Sequence, residues 1–231
     1  MTIFRLKLFL QLALVCGLTS IHADELVCET QLKLMYENNA TTPSDINEHL
    51  PVLCELAKEC SSVTAIGIKN MVSVWGMLEG LSQGSSTKRT FVGYDTYAPP
   101  MDVVVQAETL TSALGIGFNI VQTPYMAIQI KPCDMLFIDS LHTYCHLTHE
   151  LETFSPKVNK YIALHDTSAP WGNQEDSAYS GDYTEYPKEY SRKKKGLWPA
   201  VKDFLAAHPE WQLRTRYTNN HGLTVLERVS K

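Results

Sequence analysis

The sequence predicts an open α/β sheet, mainly parallel, with helices on both faces and a β-hairpin at its C-terminal end. Three observations carry the prediction. Short continuous apolar runs alternate with stretches of helical apolar spacing from Val63 to Leu164, and such runs are the habit of strands covered on both faces. Polar, chemistry-bearing side chains stand at the C-terminal ends of these runs, among them Asp95, Asp139 and His165–Asp166. Finally, Trp211–Tyr217 and Leu223–Val229 flank Thr218-Asn219-Asn220-His221-Gly222, the pattern of a hairpin around a polar turn.

Taken in order, the chain begins like a targeting segment. Arg5 and Lys7 precede the apolar stretch Leu8–Leu18, and Ile21-His22-Ala23 stands before acidic Asp24-Glu25, so residues 1–23 read as a signal peptide or an uncleaved membrane anchor. Residues 24–60 read as an N-terminal helical cap. Within it Leu26–Tyr36 has helical spacing, Asn38–Asp45 reads as a polar turn, and Pro51 fits the first turn of a helix running to about Glu59. Residues 61–231 form the α/β domain. Its expected elements are a strand at Val63–Gly67, a helix at Ser73–Leu81, a strand at Phe91–Tyr94 and a helix at Val103–Leu114. Strands at Phe118–Gln122, Asp134–Asp139 and Tyr161–Leu164 follow, and the helix Leu197–Ala207 precedes the hairpin. The long polar segment Thr167–Gly196, with Trp171 and four tyrosines, reads as a lid over a substrate or as a poorly ordered loop.

Composition bounds the function. A chain of 231 residues suits one sizeable domain, and a net charge of −5 argues against a nucleic-acid partner. The one basic run, Arg192–Lys195, reads as a solvated loop. Past the leader five cysteines remain, an odd number; export would permit a disulfide drawn from Cys28, Cys54 and Cys60. The sequence leaves the oligomeric state open.

The chemistry concentrates between Asp134 and Asp166. Two apolar runs there end at Asp139 with His142 and at His165–Asp166, and Tyr144, Leu147, Leu151 and Phe154 recur between them at helical spacing. A right-handed strand–helix–strand unit brings both strand ends to one edge, where open α/β sheets bind ligands. Carboxylate and imidazole groups converging there suit a divalent metal or acid–base chemistry. Gly67 ends the first strand, where a missing Cβ lets a ligand approach the backbone; a plain tight turn explains it equally well. Asp95, ending the second strand, is placed to accept hydrogen bonds from a ribose diol.

The blocks Val63-Thr64-Ala65-Ile66-Gly67, Val92-Gly93-Tyr94-Asp95, Phe137-Ile138-Asp139-Ser140-Leu141-His142-Thr143-Tyr144 and Ala163-Leu164-His165-Asp166-Thr167 resemble class I S-adenosylmethionine-dependent methyltransferases. Within them the resemblance is to the branch of cephalosporin-hydroxylase-like and macrocin-type O-methyltransferases. It implies a Rossmann-like sheet of seven strands, the last antiparallel. It also implies that Gly67 approaches the methionine part of the cofactor, that Asp95 holds its ribose and that Thr123 contacts its adenine. Ala65 falls beside the methionine end, where the family pattern usually has an acid. Asp139 adjoins the cofactor, and with His165 and Asp166 it falls where metal-dependent relatives hold a magnesium ion; His165 leaves manganese, zinc or no metal equally open.

The reading that follows is an exported O-methyltransferase acting on a small-molecule or glycan hydroxyl. Asp139, His142 and His165 would be its catalytic groups, S-adenosylmethionine and a divalent cation such as Mg2+ its cofactors, and Trp171 part of its lid. A second reading is an exported binding module that keeps the fold without turnover, favoured by Ala65. A third is a metal-dependent hydroxylase or hydrolase using the Asp/His cluster.

Overall fold

The computed structural model describes residues 25–172, 176 and 183–230; the expected targeting segment, residues 1–23, lies outside them. Seven strands form one sheet: β1 (Ser62–Ile66), β2 (Arg89–Asp95), β3 (Ile116–Gln122), β4 (Cys133–Ile138), β5 (Val158–His165), β6 (Trp211–Tyr217) and β7 (Leu223–Arg228). Their order is β3-β2-β1-β4-β5-β7-β6. The first five pair in parallel, while β7 runs antiparallel to both β5 and β6. The chain reverses its direction of travel across the sheet between β3 and β4, so β1 and β4 lie side by side at the switch point. That is where ligands of open α/β sheets bind.

Helices close both faces. On one side pack α1 (residues 25–41), α2 (Leu50–Lys58), α3 (Val72–Gln83) and α4 (Met101–Ala113); α5 (Tyr144–Phe154) and α6 (Leu197–Ala207) pack on the other. Two apolar clusters result. Leu50, Leu53, Trp75, Leu78, Phe91 and Phe137 belong to the first, and Leu136, Leu151, Phe154, Ile162, Val201 and Leu226 to the second. Alternate residues of β4 and β5 supply both, since neighbours along a strand face opposite sides. Leu32 of α1 and Leu50 of α2 share the first cluster with Ala65 and Phe137 of the sheet. The segment expected as a cap therefore contributes to the domain's own core. Tight packing of α2 on α3 uses Gly80, where a Cβ would overlap the carbonyl of Cys54.

Two expectations change here. The helix predicted over Leu26–Tyr36 continues to residue 41 through the stretch read as a turn. Side chains bond back along it, Asn39 Nδ2 donating to the Met35 carbonyl and Thr41 Oγ1 to that of Glu37, each at 2.8 Å. All five cysteines among the described residues carry free thiols, so Cys28, Cys54 and Cys60 form no disulfide.

Glu79 is a charged group that α3 buries in this layer, at 4% exposure with Gln83 Nε2 donating to it. Burial raises its pKa above the ordinary glutamate value. Such a group contributes stability at low pH and loses that contribution as pH rises through its folded-state pKa. Glu79→Gln, which keeps an acceptor for Gln83, is therefore expected to raise the melting temperature at pH 7 and to give no gain below about pH 4.5. Melting curves of both proteins across that range check it.

Candidate active site

The C-terminal ends of β1, β2, β4 and β5 surround one cavity of about 340 Å3, within the size range of small-ligand sites. Gly67, Asp95, Asp139, His142 and Asp166 line it, and Ser44–Ile46 from the link between α1 and α2 forms part of its wall. Strand register explains the convergence. Ile138 of β4 pairs with Leu164 of β5, so Asp139 and His165 leave adjacent strands at the same level. Asp166 then takes a left-handed backbone (φ 57°), a conformation costly for a residue with a Cβ and common at functional sites. His142 lies in the short connection to α5, just before Thr143, whose hydroxyl accepts from His146 N and caps the helix.

Asp139 and Asp166 are joined by imidazoles. His142 Nε2 lies 3.3 Å from Asp139 Oδ1 and 2.9 Å from Asp166 Oδ2. His165 Nδ1 lies 3.3 Å from Asp139 Oδ1 and 3.5 Å from Asp166 Oδ2. Its Nε2 faces the carbonyl oxygens of Asp45 and Asn220 at 3.0 and 3.3 Å, so Nε2 carries a proton. Burial disfavours the charged ring in both histidines, but the two carboxylates outweigh it and raise His142 to about 10 and His165 to about 9. Burial likewise opposes the charge on Asp139, yet His165 and His142 hold its carboxyl well below the usual range.

Several participants lie outside the strand-end blocks from Val63 to Thr167. His221, in the turn between β6 and β7, places Nδ1 3.1 Å from Asp166 Oδ1 and stacks its ring parallel to that of His165. The neighbouring Asn220 donates from Nδ2 to the Ser44 carbonyl and accepts at Oδ1 from Glu48 N. His49 Nε2 meets the carbonyls of Asn219 and Asn220. The turn thus fastens the residue 44–49 segment to the cavity wall. Two consecutive left-handed residues before a glycine, Asn220 and His221 ahead of Gly222, are the available sequence signal, because Asn and Gly favour such turns.

No protein-family model matches the chain, and no curated protein does. Solved structures do. The SAH-bound methyltransferase PaMTH1 of Podospora anserina superposes with a TM-score of 0.51 at 14% identity, over 89% of this chain and 93% of its own. The O-methyltransferase from Bacillus cereus in complex with SAH gives 0.52 at 13%, over 86% and 90%. A methyltransferase from Geobacter sulfurreducens gives 0.50 at 16%, over 89% and 88%. The chain has the fold of class I S-adenosylmethionine-dependent methyltransferases. At these identities the likeness fixes the fold, and activity has to be argued from the site.

The missing Cβ of Gly67 lets the β1–α3 loop pack directly on the main chain at the end of β4. The φ of Gly67 is 81°, and a Cβ there would overlap the main chain of Asp139. Asp95 is buried in the cavity wall beside the Gly67 loop. Its Oδ2 accepts from Ile68 N and Lys69 N at 2.8 and 2.7 Å, and Oδ1 from Tyr97 N at 2.9 Å. An ionised carboxylate has about four acceptor positions, so roughly one stays open to a ribose hydroxyl with the loop in this arrangement. Thr123 N donates to the Asp95 carbonyl, but Thr123 does not line the cavity, whose aromatic lining comes from Tyr97 and Tyr125. Ala65 is fully buried in the core and offers a ligand neither charge nor donor. Trp171 tilts its ring toward His142, 5.8 Å between centroids. Tyr179, part of the expected lid, lies outside the described residues.

Asp139, His142 and Asp166 could hold a divalent ion, with one ligand atom from each lying within 4.8 Å of the others. Two carboxylates and an imidazole suit manganese or zinc, and magnesium with added water. His165, expected in this role, stands behind the carboxylates outside the cavity lining. One of its nitrogens is committed to main-chain carbonyls and the other, Nδ1, is buried against Asp139 and Asp166. The geometry makes it a positive support for the two acids, and His142 is the imidazole that meets a ligand.

Proposed function

We propose that the protein is an S-adenosylmethionine-dependent O-methyltransferase, assisted by a divalent cation, acting on a hydroxyl of a small molecule or glycan. The observation that carries this reading is the meeting of Asp139, His142 and Asp166 from neighbouring strand ends in the same cavity as Gly67 and Asp95. The fold supports it, since two of the solved structures named above hold SAH, the product of methyl donation.

Bound S-adenosylmethionine supplies an electrophilic sulfonium methyl for in-line displacement, leaving S-adenosylhomocysteine. A cation held by Asp139 and Asp166 would lower the pKa of the acceptor hydroxyl and orient it, with His142 beside it to take the proton. The chain's own residues supply alignment, the exclusion of water and a destination for the hydroxyl proton. Gly67 and Asp95 line the place of the donor, and Asp139 and Asp166 face the hydroxyl. His142 bridges the carboxylates at the cavity wall and is the proton acceptor. The carboxylates that make it a strong base also keep it protonated near neutral pH. Proton acceptance therefore requires their charge to be met elsewhere in the loaded site. Trp171 beside His142 shields this edge from water.

A second reading, a binding module without turnover, is favoured by Asp95, whose carboxylate already accepts three main-chain N–H groups. Calorimetric titration with S-adenosylmethionine and S-adenosylhomocysteine, followed by methyl-transfer assays on hydroxylated acceptors with and without Mg2+ or Mn2+, separates the two. Binding with cation-dependent transfer is the expected result. Failure to bind either ligand at millimolar concentration would sink the methyltransferase reading.

A further inference from the structure

A buried polar chain lies beside the cavity and has no role in the steps above. Ser140, which follows Asp139, lines the cavity. Its hydroxyl donates to Glu150 of α5, with both carboxylate oxygens at 2.7 Å. Glu150 is 2% exposed, and its Oε1 lies 3.3 Å from Nε2 of the fully buried His146. His146 Nδ1 in turn meets the Tyr186 hydroxyl at 2.8 Å, and the rings of Tyr125 and Tyr186 pack around its imidazole. The carboxylate thus has the His146 ring at ion-pair distance on one side, without a hydrogen bond from Nε2, and a single cavity-wall hydroxyl on the other.

A hydroxyl carries one proton and two lone pairs. With its proton committed to Glu150, Ser140 can offer the cavity lone pairs alone, backed by a carboxylate. Such a group selects a hydrogen-bond donor, and a cationic one most strongly. S-Adenosylmethionine carries donors on its α-ammonium, its ribose and its adenine, and the ammonium is the cation among them. Position is compatible with this: a Cβ at Gly67 would lie 3.0 Å from Ser140 N, so this acceptor stands beside Gly67, where the resemblance places the methionine part of the cofactor. Ala65, under the same loop, supplies no charge.

We propose that Ser140 accepts a hydrogen bond from the α-ammonium of the methyl donor, and that Glu150, beside His146, is the positioning residue that keeps Ser140 an acceptor and supplies the counter-charge. The inference rests on the methyltransferase reading. Its test is calorimetry on the full-length protein with two ligands, S-adenosylhomocysteine and the desamino analogue that lacks its amine. Wild type is expected to prefer S-adenosylhomocysteine by about tenfold or more, the worth of one charge-assisted bond. Ser140→Ala and Glu150→Gln are expected to weaken S-adenosylhomocysteine by a similar factor and to leave the analogue unchanged, which erases the preference. Ser140→Ala removes one oxygen from the cavity wall and keeps the test open should Glu150→Gln fail to fold. A preference that survives in Ser140→Ala overturns the proposal, and so does equal weakening of both ligands. Wild-type protein that binds neither ligand overturns the methyltransferase reading beneath it.

Discussion

Gly67→Ala will lower the stability of the protein by about 3 kcal/mol or more and will remove ligand binding in whatever fraction still folds. Two costs coincide at this position. The backbone is left-handed, with φ at 81°, a region that disfavours any residue with a Cβ. The added methyl would also overlap the carbonyl of Asp139, so relief requires the β1–α3 loop to lift away from β4. Neither neighbour can give easily, because Gly67 N donates to the Tyr94 carbonyl and Asp139 N to the Ile66 carbonyl, at 2.9 and 2.8 Å. Lifting the loop also pulls Ile68 N and Lys69 N off Asp95. Urea denaturation with a calorimetric titration of S-adenosylhomocysteine measures both effects. A variant as stable as wild type would show that the loop is free to move, and the tight cradle described here would be wrong.

The loop conformation was only half legible in the sequence. A glycine after a buried strand announces a turn, and Val63-Thr64-Ala65-Ile66 is apolar enough to place that strand in the sheet's interior. That Gly67 packs on the main chain of Asp139 depends on β1 and β4 being neighbours, which is a property of strand order. Local pattern carries strand order only through the rule that parallel crossovers are right-handed. The meeting of Asp139 and Asp166 was readable for the same reason, since a single strand–helix–strand unit contains both. His221, His49 and Asn220 reach the site through the β6–β7 turn and the residue 44–49 segment, far apart in sequence, and no periodicity links them. The division of labour between His142 and His165 was likewise hidden. Both follow an apolar run at metal-competent spacing, and only the carbonyls of Asp45 and Asn220 around His165 Nε2 settle which imidazole faces the cavity. Glu150 and His146 were equally hidden, because a helix carrying Glu and His four residues apart reads as a solvated face until its packing is known.

The electrostatics of the cluster give the other large expected effect. Asp139→Asn keeps the shape of the side chain and removes its charge, and it will cut methyl transfer by about 10²–10⁴-fold, the range for a group that serves acid–base chemistry. It will also cost about 3 kcal/mol of stability at pH 7, in the range for breaking a buried ion pair. The second effect follows from His165, which is 2% exposed and charged in the folded protein because two carboxylates surround it. Without Asp139 only Asp166 remains, at 3.5 Å from Nδ1. Asp166 must then serve His142 and His221 as well, at 2.9 and 3.1 Å. The double variant Asp139→Asn/His165→Gln discriminates between the two consequences. Removing the stranded cation should recover much of the stability and none of the activity, since Asp139 meets the acceptor and His165 does not. Denaturation curves and single-turnover rates on the three proteins measure this. Recovery of activity along with stability would mean that Asp139 acts through the fold alone, and the acid–base role assigned to the β4 carboxylate would then be lost.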